Sequence, residues 1–214
     1  MTDLPSDPAA EIGVDLYWIQ LGAGSPVVQA CGRMFEAISA TLHRRPRCDL
    51  YHAALVVNAP EGRFTIEQAP VPVPEGDGAS RGVVAVGPVV LRVLGRLRLV
   101  RYEVRCWRDG IIPDIGHAVE SPVRVSSDAR IASRVLSELP RIPTPVWGRD
   151  PAHTGEMWNS NSVIAWALTV SGVDLEPFRP PDRGRAPGWA AGRSIATAGR
   201  PQPTVTGTVR GPRT

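Results

Sequence analysis

Hydrophobic and polar residues alternate through GVDLYWIQLGAG, where Val14, Leu16 and Trp18 take every second position before the glycines. A period of two followed by glycine predicts a strand and then a turn. Ser25 and Pro26 next supply a cap and a first helical residue, and Val28, Cys31, Phe35, Ile38 and Leu42 recur at spacings of three and four. That stripe predicts an amphipathic helix ending near His43-Arg44-Arg45, where cations suit the carbonyl end. Residues 1–12 show no such period and read as a flexible leader.

In DLYHAALVVNAPEGRFTIEQAP, β-branched and aromatic residues flank the breakers Asn58 to Gly62, which predicts a hairpin. VPVPEGDGASRG reads as a loop and GVVAVGPVVL as a strand. LRLVRYEVRCW reads as a longer strand whose two faces differ: Leu99, Arg101, Glu103 and Arg105 alternate with Val100, Tyr102, Val104 and Cys106. Such alternation suits an antiparallel sheet covered on one side.

RDGIIPDIGHAVESP carries no period and reads as irregular. SSDARIASRVLSELP predicts a helix capped by Ser126 or Ser127, with Ile131, Val135 and Leu139 inward and Pro140 as the stop. The prolines of RIPTPVWGRDPAHTGE mark an extended connection. MWNSNSVIAWALTVSG then predicts a helix from about Asn159 to Ser171, because a polar start, an apolar body and Gly172 agree with one another. A shorter helix is expected around Trp189, and residues 199–214, rich in arginine and without apolar pattern, read as a disordered tail. The order of elements gives an α+β fold, with helices packed on a mainly antiparallel sheet in a single domain over residues 13–198.

Composition changes this picture in three places. No apolar run approaches the roughly 18 residues of a membrane span, and the N-terminus lacks a signal peptide's basic patch and apolar core, so a soluble, cytoplasmic protein without a membrane partner is expected. All 24 basic side chains are arginine, the mark of a GC-rich coding genome. From Arg179 onward seven arginines face Asp182 alone, so the net charge of +3 belongs to the tail. The body before it has no basic face that would suit nucleic acid. The cysteines Cys31, Cys48 and Cys106 lack CxxC spacing and read as reduced thiols. No cofactor is implied.

Candidate chemistry centres on the helix start. Helix N-termini expose unpaired amide hydrogens, so a nucleophile at Ser160 would have oxyanion donors beside it. A serine needs a base, and His52 is the candidate because it lies in a predicted strand, whereas His43 falls at a helix end and His117 and His153 in loops. Glu67, on the partner strand of the hairpin, would orient the imidazole, with Glu103 as a second candidate. Asn159 or Asn161 would donate to the oxyanion, and Trp158 would line a substrate groove. Each of these residues also has a structural reading. Asn and Ser are preferred helix caps, His52 suits a hydrogen-bonded strand position, and the glutamates suit a solvated strand face. A metal site from His52, Glu67 and Glu103 lacks diagnostic spacing.

An early strand histidine in YHAALVV and a later polar helix start in NSNSVIAWAL together resemble the circularly permuted papain-like proteins. These include NlpC/P60-type, desumoylating-peptidase-like and lecithin:retinol-acyltransferase-like proteins. The resemblance implies a hydrolase or acyltransferase acting on amides or esters, with a cysteine nucleophile paired with the strand histidine. His52 matches that histidine, and Ser160 stands where the cysteine would be. A thiol is far more acidic than a serine hydroxyl, so the replacement changes the chemistry. The chain is also similar, through RYEVRCWRDGIIPD, PTPVWGRD, MWNSNS and RAPGWAAG, to a largely actinobacterial family without an assigned activity. The alternatives are an inactive module that binds a peptide or small ligand in the same cleft, or a structural protein.

Overall fold

The computed structural model describes residues 11–23, 26–70, 82–89 and 101–199. The loop after Pro70, Leu99 and Val100, the Ser25 cap, most of the leader and the tail beyond Gly199 lie outside the described residues. The fold is α+β, with six antiparallel strands and four α-helices among the described residues. The strands are β1 (Gly13–Gln20), β2 (Tyr51–Ala59), β3 (Gly62–Pro70), β4 (Val83–Pro88), β5 (Arg101–Arg108) and β6 (Val123–Ser126). They lie in the order β4-β5-β3-β2-β1-β6. The helices are α1 (Pro26–Leu42), α2 (Ala129–Glu138), α3 (Ser160–Val170) and α4 (Trp189–Ala198).

One face of the sheet carries the main core. Val14, Leu16 and Trp18 of β1, Tyr51, Ala53, Leu55 and Val57 of β2, Ile66 of β3 and Tyr102 and Val104 of β5 pack against α2, α3 and α4. Each fully buried aliphatic side chain there contributes on the order of 1.5–3 kcal/mol of transfer free energy. Residues Asn161 to Leu168 of α3 are all buried. A helix apolar on all sides must be enclosed, and here the sheet, α2 and α4 enclose it. Helix α4 can approach closely because residue 192 is glycine: a Cβ there would collide with the Ser162 backbone carbonyl.

The opposite face holds a smaller cluster of Ile19, Ala54, Val56 and Ile112, with Tyr17 beside it. The stretch 109–118 read from sequence as irregular, and it runs back across this face. The Gly110 carbonyl accepts hydrogen bonds from Thr65 Oγ1 (2.6 Å) and Arg63 Nη1 (2.8 Å), and Ala118 bridges to Ile19 of β1.

Two sequence expectations need correction. The cap of α2 is Asp128, whose carboxylate accepts from Arg130 N at 2.8 Å, one or two residues beyond Ser126 and Ser127. In α1 the apolar stripe is not buried, since Cys31, Ile38 and Leu42 are exposed and Phe35 is half-buried, while Glu36 and Ala40 are buried. Arg45 and the Cys48 amide grip the Glu36 carboxylate, which turns a polar face of the helix toward the protein.

Candidate functional site

Strand parity decides where the expected catalytic residues point. Tyr51 belongs to the core beneath α3, so its neighbour His52 faces the other side of the sheet, beside Ile19 and Ala54. Ser160 begins α3 near the open edge of β2, where Asn161 Nδ2 reaches the Tyr51 backbone carbonyl. His52 is bound to Asp114, and among the described residues no hydrogen bond joins its imidazole to the Ser160 hydroxyl.

The helix start is built by its neighbours. Asn159 caps α3, accepting from Asn161 N (2.9 Å) and Ser162 N (3.4 Å), while its amide nitrogen donates to the Pro187 carbonyl at 2.8 Å. Ser162 completes the capping box and donates to the Gly188 carbonyl at 2.7 Å. Asn161 Nδ2 donates to the carbonyls of Tyr51 and Pro187, each at 2.9 Å. Its Oδ1 is buried without a partner among the described residues. Both asparagine amide groups expected to serve an oxyanion are thus spent on tying α3 to β2 and to the entry of α4. Trp158 is fully buried in the core and lines no groove.

On the opposite face the structure assembles a polar cluster. His52 Nε2 lies 2.8 Å from Asp114 Oδ2. Glu67 follows Ile66 and so shares the His52 face, where its partner is Arg105 (3.4 Å), which also binds Glu103 at 3.0 Å. The place expected for Glu67 beside the imidazole belongs to Asp114. Burial pushes the Glu67 carboxyl above its ordinary value and the Asp114 charge adds to the rise, with Arg105 and His52 opposing. Burial acts in the same sense on Asp114, but the hydrogen bond and charge of His52 outweigh it and hold that carboxyl low.

The cluster lies where the sheet divides. Strands β2 and β3 pair from Ala59↔Gly62 to Leu55↔Ile66 and part beyond that point: Tyr51 to Ala54 continue along β1, and Glu67 to Pro70 along β5. Among the described residues no group of three or more His, Cys, Asp and Glu side chains is placed to hold a metal ion.

A cavity of about 710 Å³ lies elsewhere, at the junction of β1, α1 and residues 47–50. Sequence reasoning passed over it. Its walls come from a strand end, an exposed helix face and a connection, none of which carries a motif. His117 is part of its lining, as are Arg33, Glu36, Arg47 and Cys48.

Compared with protein-family models, with curated proteins and with solved structures, the chain has no match in any of the three. No helix among the described residues is long and apolar enough to cross a membrane. The class defined here is an α+β domain with a structural Asn-Ser-Asn-Ser helix start and a His-Asp pair on the far face of its sheet.

Proposed function

We propose that this chain is a binding module, built on a permuted papain-like plan, whose helix start no longer performs chemistry. The observation that supports this reading is that His52 pairs with Asp114 and, among the described residues, no hydrogen bond joins it to Ser160. A serine hydroxyl without a base in hydrogen-bond reach is a poor nucleophile. The use of Asn159, Asn161 and Ser162 as structural ties points the same way. The cavity of about 710 Å³ falls within the range of small-molecule sites.

A fluorophosphonate probe tests the reading. The wild-type protein is expected to remain unlabelled, and Ser160→Ala to leave the melting temperature unchanged. Covalent labelling that disappears in Ser160→Ala would overturn it in favour of the serine hydrolase or acyltransferase.

The His52–Asp114 pair favours a second reading. A carboxylate on one ring nitrogen fixes the orientation and tautomer of the imidazole, the arrangement of a general base acting on water. Hydrolysis of a small activated ester, lost in both His52→Ala and Asp114→Asn but retained in Ser160→Ala, would select this reading.

A further inference from the structure

The charges around the large cavity are unequal. Of the two carboxylates in its wall, Glu36 is already neutralised: Arg45 Nη2 lies 2.8 Å from its Oε2, and Arg45 Nη1 and the Cys48 amide bind its Oε1. Arg45 holds this carboxyl down at a pKa of about 2. Asp49 is the other acid. Against it stand Arg33 and Arg47, neither of which makes an ion pair or side-chain hydrogen bond among the described residues. A concave site with two uncommitted guanidinium groups and one opposing carboxylate carries surplus positive charge. Guanidinium groups match the geometry of carboxylate and phosphate oxygens.

We propose that this cavity binds a small molecule through an anionic carboxylate or phosphate group held by Arg33 and Arg47. The inference rests on the reading of the chain as a binding module and adds to it the site and the ligand's chemical class. Asp49 limits the charge that the site accepts, so a singly or doubly charged group is favoured over a polyphosphate.

The cysteines provide the measurement. Cys48 lines the cavity, while Cys31 is exposed on α1 and lies outside the lining. Alkylation by N-ethylmaleimide at mildly alkaline pH, read at each cysteine by peptide mass spectrometry, therefore carries its own control. Millimolar succinate or inorganic phosphate is expected to slow modification of Cys48 several-fold and to leave Cys31 unchanged. The uncharged analogue succinamide is expected to have no effect, and the double variant Arg33→Gln/Arg47→Gln to lose the protection. A response to succinate alone or to phosphate alone assigns the anionic group.

If neither anion protects Cys48, or if protection survives in the double variant, the proposal is overturned. Equal protection by succinamide would also overturn it, but would leave the binding-module reading intact. Labelling of Ser160 by a fluorophosphonate in the same preparation would instead remove that reading without touching the anion result. Should Cys48 resist the reagent, the rise in melting temperature with each anion, compared between wild type and double variant, decides the same question.

Discussion

The His52 Nε2 atom lies 2.8 Å from Asp114 Oδ2, although 62 residues separate the two in sequence. This contact joins β2 to the return segment 109–118, which therefore acts as a strap over the face of the sheet that the helices leave open. His52 thus helps to hold a piece of irregular chain in place. Asp114→Asn weakens that hold and is expected to lower stability by about 1 kcal/mol, read as a shift in urea midpoint. Because the folded-state pKa of Asp114 is depressed, its contribution is present above the ordinary aspartate value near 4 and lost as pH falls through the folded value. The variant should therefore show a flatter loss of stability under acid conditions than wild type.

Glu67 is expected to act with the opposite sign. Its folded-state pKa is raised, chiefly by burial, so the ionised carboxyl costs stability at neutral pH. That cost is relieved as pH falls through the raised folded value toward the ordinary glutamate value near 4.3. Glu67→Gln should melt at the wild-type temperature or above at pH 7, since Arg105 keeps Glu103 as a partner at 3.0 Å. A large destabilisation at pH 7 would show that the Arg105–Glu67 contact outweighs desolvation.

Glu36 is the acid whose removal should cost most. Its pKa falls from 4.5 to about 2, and it ties Arg45 and the Cys48 amide to α1. By linkage that shift corresponds to roughly 3 kcal/mol, present above the ordinary value and lost as pH drops toward the folded one. Glu36→Gln is expected to destabilise by up to that amount at pH 7 and to loosen α1, seen as faster amide exchange over residues 26–42. By contrast, Ile38→Ala on the exposed stripe should change stability by less than about 0.5 kcal/mol.

The sequence announced elements whose two faces differ and concealed those whose faces match. Alternation in LRLVRYEVRCW separates Tyr102 and Val104, which enter the main core, from Glu103 and Arg105 on the other face. The hairpin turn and the span of α3 were legible from breakers and caps instead, although α3 is buried on all sides. Strand β2 is different. It is almost wholly buried on both faces, so its apolar run of Ala53 to Val57 hides the parity that sends His52 away from α3. Asp114 was hidden by distance in sequence, since its partner is set by a return of irregular chain and no local pattern marks that path. The orientation of α1 turned on one buried carboxylate, Glu36, which an apolar stripe cannot predict.

The helix-start motif yields a ranking that separates structure from chemistry. Asn159 supplies the cap of α3 and a bond to Pro187, so Asn159→Ala is expected to cost about 1 kcal/mol or somewhat more. Asn161→Ala strips the Tyr51 carbonyl of a buried donor, a loss of roughly 1–3 kcal/mol, partly offset because the unpaired Oδ1 disappears with it. Ser160 makes no side-chain hydrogen bond among the described residues, and Ser160→Ala should fall within about 0.5 kcal/mol of wild type. Gly192→Ala extends the series to the facing helix: the added Cβ meets the Ser162 carbonyl, and about 1–3 kcal/mol of overpacking is expected. Thermal melts of the four variants test the order. If Ser160→Ala proved the most damaging of them, the hydroxyl would have a structural partner that this geometry does not provide. If all four were neutral, α3 would not be anchored through its first turn.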